Sequence, residues 1–310
     1  MPDAVLYARE GEIGYVTLNR PEVLNAMDDS LLAGIAAALV AAEADAAAKV
    51  VVLRGAGRVF CAGGDVNDMP RRRSEAEYRA TRLSIERSIS RAVRAMGKPL
   101  IAQIHGAAIG GGCVLAALCD LRIAAEGTKF GLPEVRFGTI ASLGGIYMIT
   151  RIVGLGRAFE LLYLGENFDA QQALAKGLIN RLVPADALAQ TTADMAHAIA
   201  TSFSAEIALT RKAILEGLDL DFMAAAELET DGAMQAHLGG DIEEGFARAR
   251  ARAGRKDSAT TPAGRKDSAT TPAGRKDGAT TPAGRKDGAP ASIGRKDDAP
   301  ASVGPKGSTR

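Results

Sequence analysis

Three consecutive glycines, Gly110-Gly111-Gly112, stand between an apolar segment, Pro99 to Gly106, and a second apolar run, Val114 to Cys119. The first segment reads as a buried strand running into the glycines, and the second reads as an apolar helix. A strand that turns into a helix through residues without β-carbons implies an α/β fold in which backbone passes close to something at that turn. Unpaired N–H groups open such a helix, and its dipole favours negative charge beside them. Phe60-Cys61-Ala62-Gly63-Gly64-Asp65, after the strand-like Val50-Val51-Val52-Leu53, has the same character. Two backbone donors from separate strand ends suit a thioester oxygen on which charge develops. The chemistry indicated is enolate formation.

Hydrophobic periodicity places further strands near 13–18, 50–54, 99–105 and 121–125, with helices at 28–46 and 75–96 between them. Asp28-Asp29-Ser30 offers an N-cap for the first of these helices. From Ala141 the pattern turns mainly helical, at 156–164, 169–176, 186–202, 205–217 and 220–236, broken by a short apolar run at Leu178–Val183. Alternating units followed by helices predict an α/β core with a helical C-terminal region.

At Ala253 the character changes. The decapeptide Ala253-Gly254-Arg255-Lys256-Asp257-Ser258-Ala259-Thr260-Thr261-Pro262 recurs unchanged at 263–272, and its period continues with drift to Ser302. Units this short and polar are expected to be a disordered, low-complexity tail. The expected organisation is therefore one domain at 1–252 and a tail at 253–310. The net charge of +1 divides unevenly: the tail holds 12 basic and 6 acidic residues, leaving 26 basic and 31 acidic for the rest. An acidic body argues against a nucleic-acid surface, and the tail has no aromatic residue on which bases could stack.

No secretory start and no apolar run of bilayer length is present, so a cytoplasmic location without membrane association is expected. The cysteines, Cys61, Cys113 and Cys119, have no metal-ligand spacing and are expected to be reduced. No metal or redox cofactor is implied.

The ordered motifs Phe60–Asp65, Ile109-Gly110-Gly111-Gly112-Cys113 and Phe130-Gly131-Leu132-Pro133-Glu134 resemble those of the enoyl-CoA hydratase/isomerase (crotonase) superfamily. Asn19-Arg20-Pro21 with Leu24-Asn25-Ala26, and Gln172 to Asn180, extend the resemblance, and Asp241 to Phe246 is a weaker match. It spans residues 4–252. The resemblance implies a spiral of ββα units with a helical C-terminal region, an acyl-CoA thioester as substrate, and a homotrimer or hexamer. Coenzyme A enters as part of the substrate and not as a resident cofactor. The resemblance also assigns the oxyanion-hole N–H groups to Gly64 and Gly111 and the acid/base to Glu134. Leu24, Asn25, Ala26, Ala62 and Asp65 fall at positions that contact CoA, chiefly through backbone groups. Relatives often end in a basic-aromatic stretch where this chain runs into its repeats.

One position departs from the family's hydratases. Those enzymes carry Glu directly after Gly-Gly-Gly-Cys, twenty residues before the residue matching Glu134; here it is Val114. Valine neither accepts a hydrogen bond nor transfers a proton, which disfavours a reaction drawn with two carboxylates. Ser142 likewise replaces the Asp of dienoyl-CoA isomerases and hydroxyisobutyryl-CoA hydrolases. A single base suffices to move a double bond from the 3 to the 2 position, so an enoyl-CoA isomerase is the favoured expectation. A hydratase using Asp65, Asp68 or Asp120 as a substitute acid, and a non-catalytic homologue, are the alternatives. The acyl pocket is expected near Met69–Arg82.

Overall fold

The computed structural model describes residues 3–65 and 74–259, with side chains of the last helix as far as Ala251. The chain opens with an antiparallel pair, β1 (Val5–Glu10) and β2 (Ile13–Leu18), followed by α1 (Asp29–Ala44). Three successive units then follow: β3 (Val50–Gly55) with α2 (Glu75–Ala80) and α3 (Arg82–Ala95); β4 (Leu100–Ile104) and β5 (Ala107–Ile109) with α4 (Gly111–Leu118); and β6 (Leu121–Ala125) and β7 (Lys129–Gly131) with α5 (Gly145–Val153) and α6 (Leu155–Leu164). After β8 (Asn167–Asp169), α7 (Ala170–Ala175) and β9 (Arg181–Val183) the chain is helical: α8 (Leu188–Ala200), α9 (Ser204–Gly217), α10 (Phe222–Gly239) and α11 (Asp241–Ala259).

The strands form two layers. β1-β2-β3-β4-β6-β9 make a six-stranded sheet, parallel beyond the first pair, and β5-β7-β8 make a three-stranded one. Bridges from Cys61 to Ala108 and from Met27 to Gly64 bring the earlier units into the second layer. Each turn thus contributes a strand to one layer, a strand or bridge to the other, and a helix, which is the expected spiral. Both faces of the large sheet are covered, as parallel sheets require. Val51 and Leu53 point into the main core, whereas Val50 and Val52 join Ile101, Ile123 and the α8 residues Leu188, Ala196 and Ala200.

Several sequence expectations need correcting. The strand at 99–105 does not run directly into the glycines: β4 stops at Ile104, the chain turns at Gly106 (φ +65°), and β5 in the other sheet intervenes. The helix at 75–96 is two helices, broken at Thr81, whose φ and ψ of −104° and −86° are not helical. The change of character at Ala253 is not an element boundary, because α11 continues to Ala259; alanine and arginine both favour helix. Met1–Lys256 form one compact unit and Asp257–Arg310 another; the expected tail from 260 onward, and Asp68 with residues 66–73, lie outside the described residues. Among the described residues, no helix is long and apolar enough to cross a membrane.

Candidate active site

The two glycine segments meet at the junction of the layers. A β-carbon on Gly112 would lie 2.3 Å from the Cys61 carbonyl oxygen, and one on Gly63 would lie 2.7 Å from the Ile109 oxygen and 3.6 Å from the Gly111 nitrogen. Only glycine allows backbones to cross this closely. Gly110, the residue before α4, has φ +52° and ψ −122° and no capping side chain. The N–H groups opening α4 therefore face outward without a cap, at the positive end of a helix whose residues Gly112 to Leu118 are all buried.

Gly64 is fixed on both sides: Met27 N–H donates to the Gly63 oxygen at 2.7 Å, and Asp65 N–H donates to the Met27 oxygen at 3.1 Å. Among the described residues, neither the Gly64 nor the Gly111 N–H has an acceptor. Two open donors from adjoining backbone segments are thus present where an oxyanion could sit.

Glu134 reaches the same place from the other side. It begins a 3-10 turn, Glu134–Phe137, just after β7 and Pro133. Arg136 holds this turn against the end of α6, donating from Nε to the Leu164 oxygen at 2.7 Å and pairing with Glu166 at 3.3 Å. A β-carbon on Gly110 would stand 3.4 Å from Glu134 Oε1, while Glu134 Oε2 is buried without a hydrogen-bond partner. Burial raises the Glu134 pKa above the ordinary value, against a smaller lowering by its own backbone N–H.

Val114 is 1% exposed. Its methyl groups lie 2.6 and 2.7 Å from where a β-carbon on Gly145 would be, so α5 starts flush against it. The position where hydratases carry a carboxylate is here part of the apolar core.

The candidate CoA residues gather around the two bridges. Asn25 is completely buried with φ +54°, and its Nδ2 donates to the carbonyls of Ala56, Val59 and Phe60 at 2.9, 3.0 and 3.1 Å. Leu24 accepts from Ala62 N–H at 3.0 Å. The backbone N–H groups of Leu24, Asn25, Ala26, Ala62 and Asp65 all donate within the chain. What remains open among them is carbonyl capacity, notably that of Ala62. Arg20, a residue whose role sequence reasoning left undecided, turns inward: its Nη1 lies 2.7 Å from the Ala26 oxygen, 3.1 Å from Asp28 and 3.7 Å from Asp65. A guanidinium so placed ties together the segments flanking Gly64.

The other acids are committed elsewhere. Asp120 accepts from Leu100 N–H at 2.8 Å and pairs at 2.9 Å with the buried Arg211 of α9. Ser142 is exposed, and its carbonyl accepts from Gly145 N–H. Burial pushes the Cys61 and Cys113 thiols up to about 12, which keeps them un-ionised and suits packing rather than nucleophilic attack. Among the described residues, no cluster of His, Cys, Asp and Glu is placed to hold a metal ion.

The sequence model of the family described as "Enoyl-CoA hydratase/isomerase" matches residues 8–249. The chain belongs to that family. A probable enoyl-CoA hydratase from Rhizobium meliloti is 36% identical over 246 residues, covering 79% of this chain and 94% of the relative. The crystal structure of an enoyl-CoA hydratase from Bacillus anthracis superposes with a TM-score of 0.76 at 30% identity, covering 80% of this chain and 96% of that one. That of a monofunctional enoyl CoA isomerase from M. smegmatis gives 0.62 at 33% identity, covering 72% and 97%. This is an enzyme family acting on acyl-CoA thioesters, and its fold is the one described above.

Proposed function

We propose that this protein is an enoyl-CoA double-bond isomerase working with one base. The thioester oxygen accepts from the Gly64 and Gly111 N–H groups. Glu134 removes a proton from the α-carbon of a 3-enoyl thioester, leaving a dienolate whose negative charge those donors and the start of α4 stabilise. The protonated Glu134 then returns the proton to the γ-carbon, giving the conjugated 2-enoyl thioester. Hydrogen bonds that strengthen as the oxygen gains charge lower the barrier rather than merely tightening binding. A pKa raised by burial makes Glu134 a stronger base once ionised. The CoA moiety lies along Leu24–Ala26 and Ala62–Asp65, and the active form is a trimer or hexamer.

The observation that carries the choice of reaction is Val114, buried against Gly145 where a second carboxylate would have to stand. The printed names of the curated relatives favour the other reading, a hydratase, since they include short-chain and probable enoyl-CoA hydratases. That reading needs a second acid; Asp120 is held by Arg211, and Asp65 lies beside Arg20. The two are separated by supplying 3-hexenoyl-CoA and 2-hexenoyl-CoA in parallel. Isomerisation of the first, faster than hydration of the second, supports the proposal; faster hydration overturns it in favour of the hydratase.

A further inference from the structure

Beside Glu134 the surface opens into a groove of about 220 Å³ between the segment 132–146 and α6. Its wall includes Ile140, Ile146, Leu155, Phe159 and Tyr163, and Glu134 is the one ionisable carboxylate in it; no Lys, Arg or His lines it. These apolar side chains are unusually open for a folded chain: Ile140 is 68% exposed, Leu155 62% and Phe159 45%. A contiguous apolar patch of this kind marks a place where something apolar binds. Phe159 and Tyr163 stand with ring centroids 5.2 Å apart, giving the groove an aromatic side.

We infer that this groove selects the acyl group, taking an uncharged hydrocarbon chain of medium length and rejecting one that ends in a carboxylate. The inference rests on the reaction site proposed above. Continuity decides the occupant, because Glu134 belongs both to the groove wall and to the meeting point with Gly110. A chain whose α- and γ-carbons face Glu134 has its remaining carbons delivered into this space. Size sets the length: an apolar cavity of ~150 Å³ accommodates benzene, so a groove half as large again suits roughly eight or nine carbons. Charge sets the terminus, since a carboxylate buried here would meet no cation and would face the Glu134 carboxylate. Among this chain's relatives is a 2,3-dehydroadipyl-CoA hydratase, whose named substrate carries such a terminus; the groove assigns this chain to the opposite preference. Phe159 and Leu155 become its specificity-determining residues. The sequence had pointed instead to Met69–Arg82 for this role, part of which lies outside the described residues.

Calorimetric binding of saturated thioesters tests the inference without requiring turnover. Butyryl-, hexanoyl-, octanoyl- and adipoyl-CoA are titrated into the full chain and into Phe159→Asp, with free CoA as reference. In the wild type the Kd is expected to tighten by about fourfold per methylene from butyryl to octanoyl. Adipoyl-CoA should bind at least ~10-fold more weakly than hexanoyl-CoA. Phe159→Asp should flatten the chain-length series while leaving butyryl-CoA unchanged, and Leu155→Lys should narrow the gap between adipoyl and hexanoyl. Equal Kd values for butyryl- and octanoyl-CoA, or for adipoyl- and hexanoyl-CoA, would overturn the groove as the acyl selector while leaving the reaction site standing. Failure of free CoA and of every thioester to bind would overturn the reaction site and this inference with it.

Discussion

A carboxylate oxygen buried without a partner is costly to ionise, and Glu134 Oε2 is such an atom. Burial raises its pKa, so ionisation works against folding. The stability Glu134 contributes is complete below the ordinary carboxylate range and is lost as pH rises through the raised value. Glu134→Gln is therefore expected to melt at a higher temperature than wild type at neutral pH, with the gap closing toward about pH 4. Because the base must be ionised to act, kcat/KM of the wild type should fall on the acid side at a pH above the ordinary glutamate value. An acid limb at or below that value, or a destabilised Gln variant at neutral pH, would contradict the burial argument. Val114 supplies the complementary test. Val114→Glu should raise hydration of a 2-enoyl-CoA by at least about tenfold if water can then be held between two carboxylates. The same change should lower Tm, because it places a carboxylate where the side chain is 1% exposed.

At the scale of elements, the site is a crossing of backbones held by polar side chains set back from the chemistry. Asn25 stitches its loop to three carbonyls at 56–60, and Arg20 draws Ala26, Asp28 and Asp65 together behind Gly64. Arg20→Met is expected to lower kcat about ten- to a hundredfold by loosening the Gly64 donor, with CoA affinity changed far less. A loss carried mainly by CoA affinity would make Arg20 a direct ligand instead. Much of this architecture was legible in the sequence. β2, β3, β4 and β6 follow from continuous apolar runs, as strands buried on both faces must. The long helices were read to within a few residues. The short strands β5, β7 and β8, each three residues, were not, since a three-residue strand is too short to show a period. They form the second layer, and so the turn between β4 and the glycines was missed with them. Gly110 to Gly112 and Glu134 were legible because their residue types have few other uses at those spacings. The inward turn of Arg20 was not, because a charged loop residue before proline looks the same whether it faces solvent or a buried pair of aspartates.

For the whole molecule, the folded unit and the repeats are separate questions. α10 has no buried residue, and Phe222 (82% exposed), Met223 and Leu238 leave an apolar surface along it. The family resemblance reads such a surface as part of a trimer or hexamer, which light scattering on the full chain checks. The repeats beyond Ala259 contain no group that the proposed reaction uses. A chain ending at Ala259 is expected to keep kcat/KM within about twofold of the full chain. A larger loss would give the basic decapeptides a part in catalysis or assembly.

One-base enolisation by Glu134 is the central claim, and proton exchange tests it before any natural substrate is known. Saturated acyl-CoA is incubated in heavy water with wild type or Glu134→Gln and followed by NMR. Exchange at the α-carbon that falls by ~10²–10⁴ in the Gln variant is the predicted result. Exchange that persists unchanged in that variant would remove Glu134 as the base, and no exchange in the wild type across short, medium and branched chains would contradict enolisation itself.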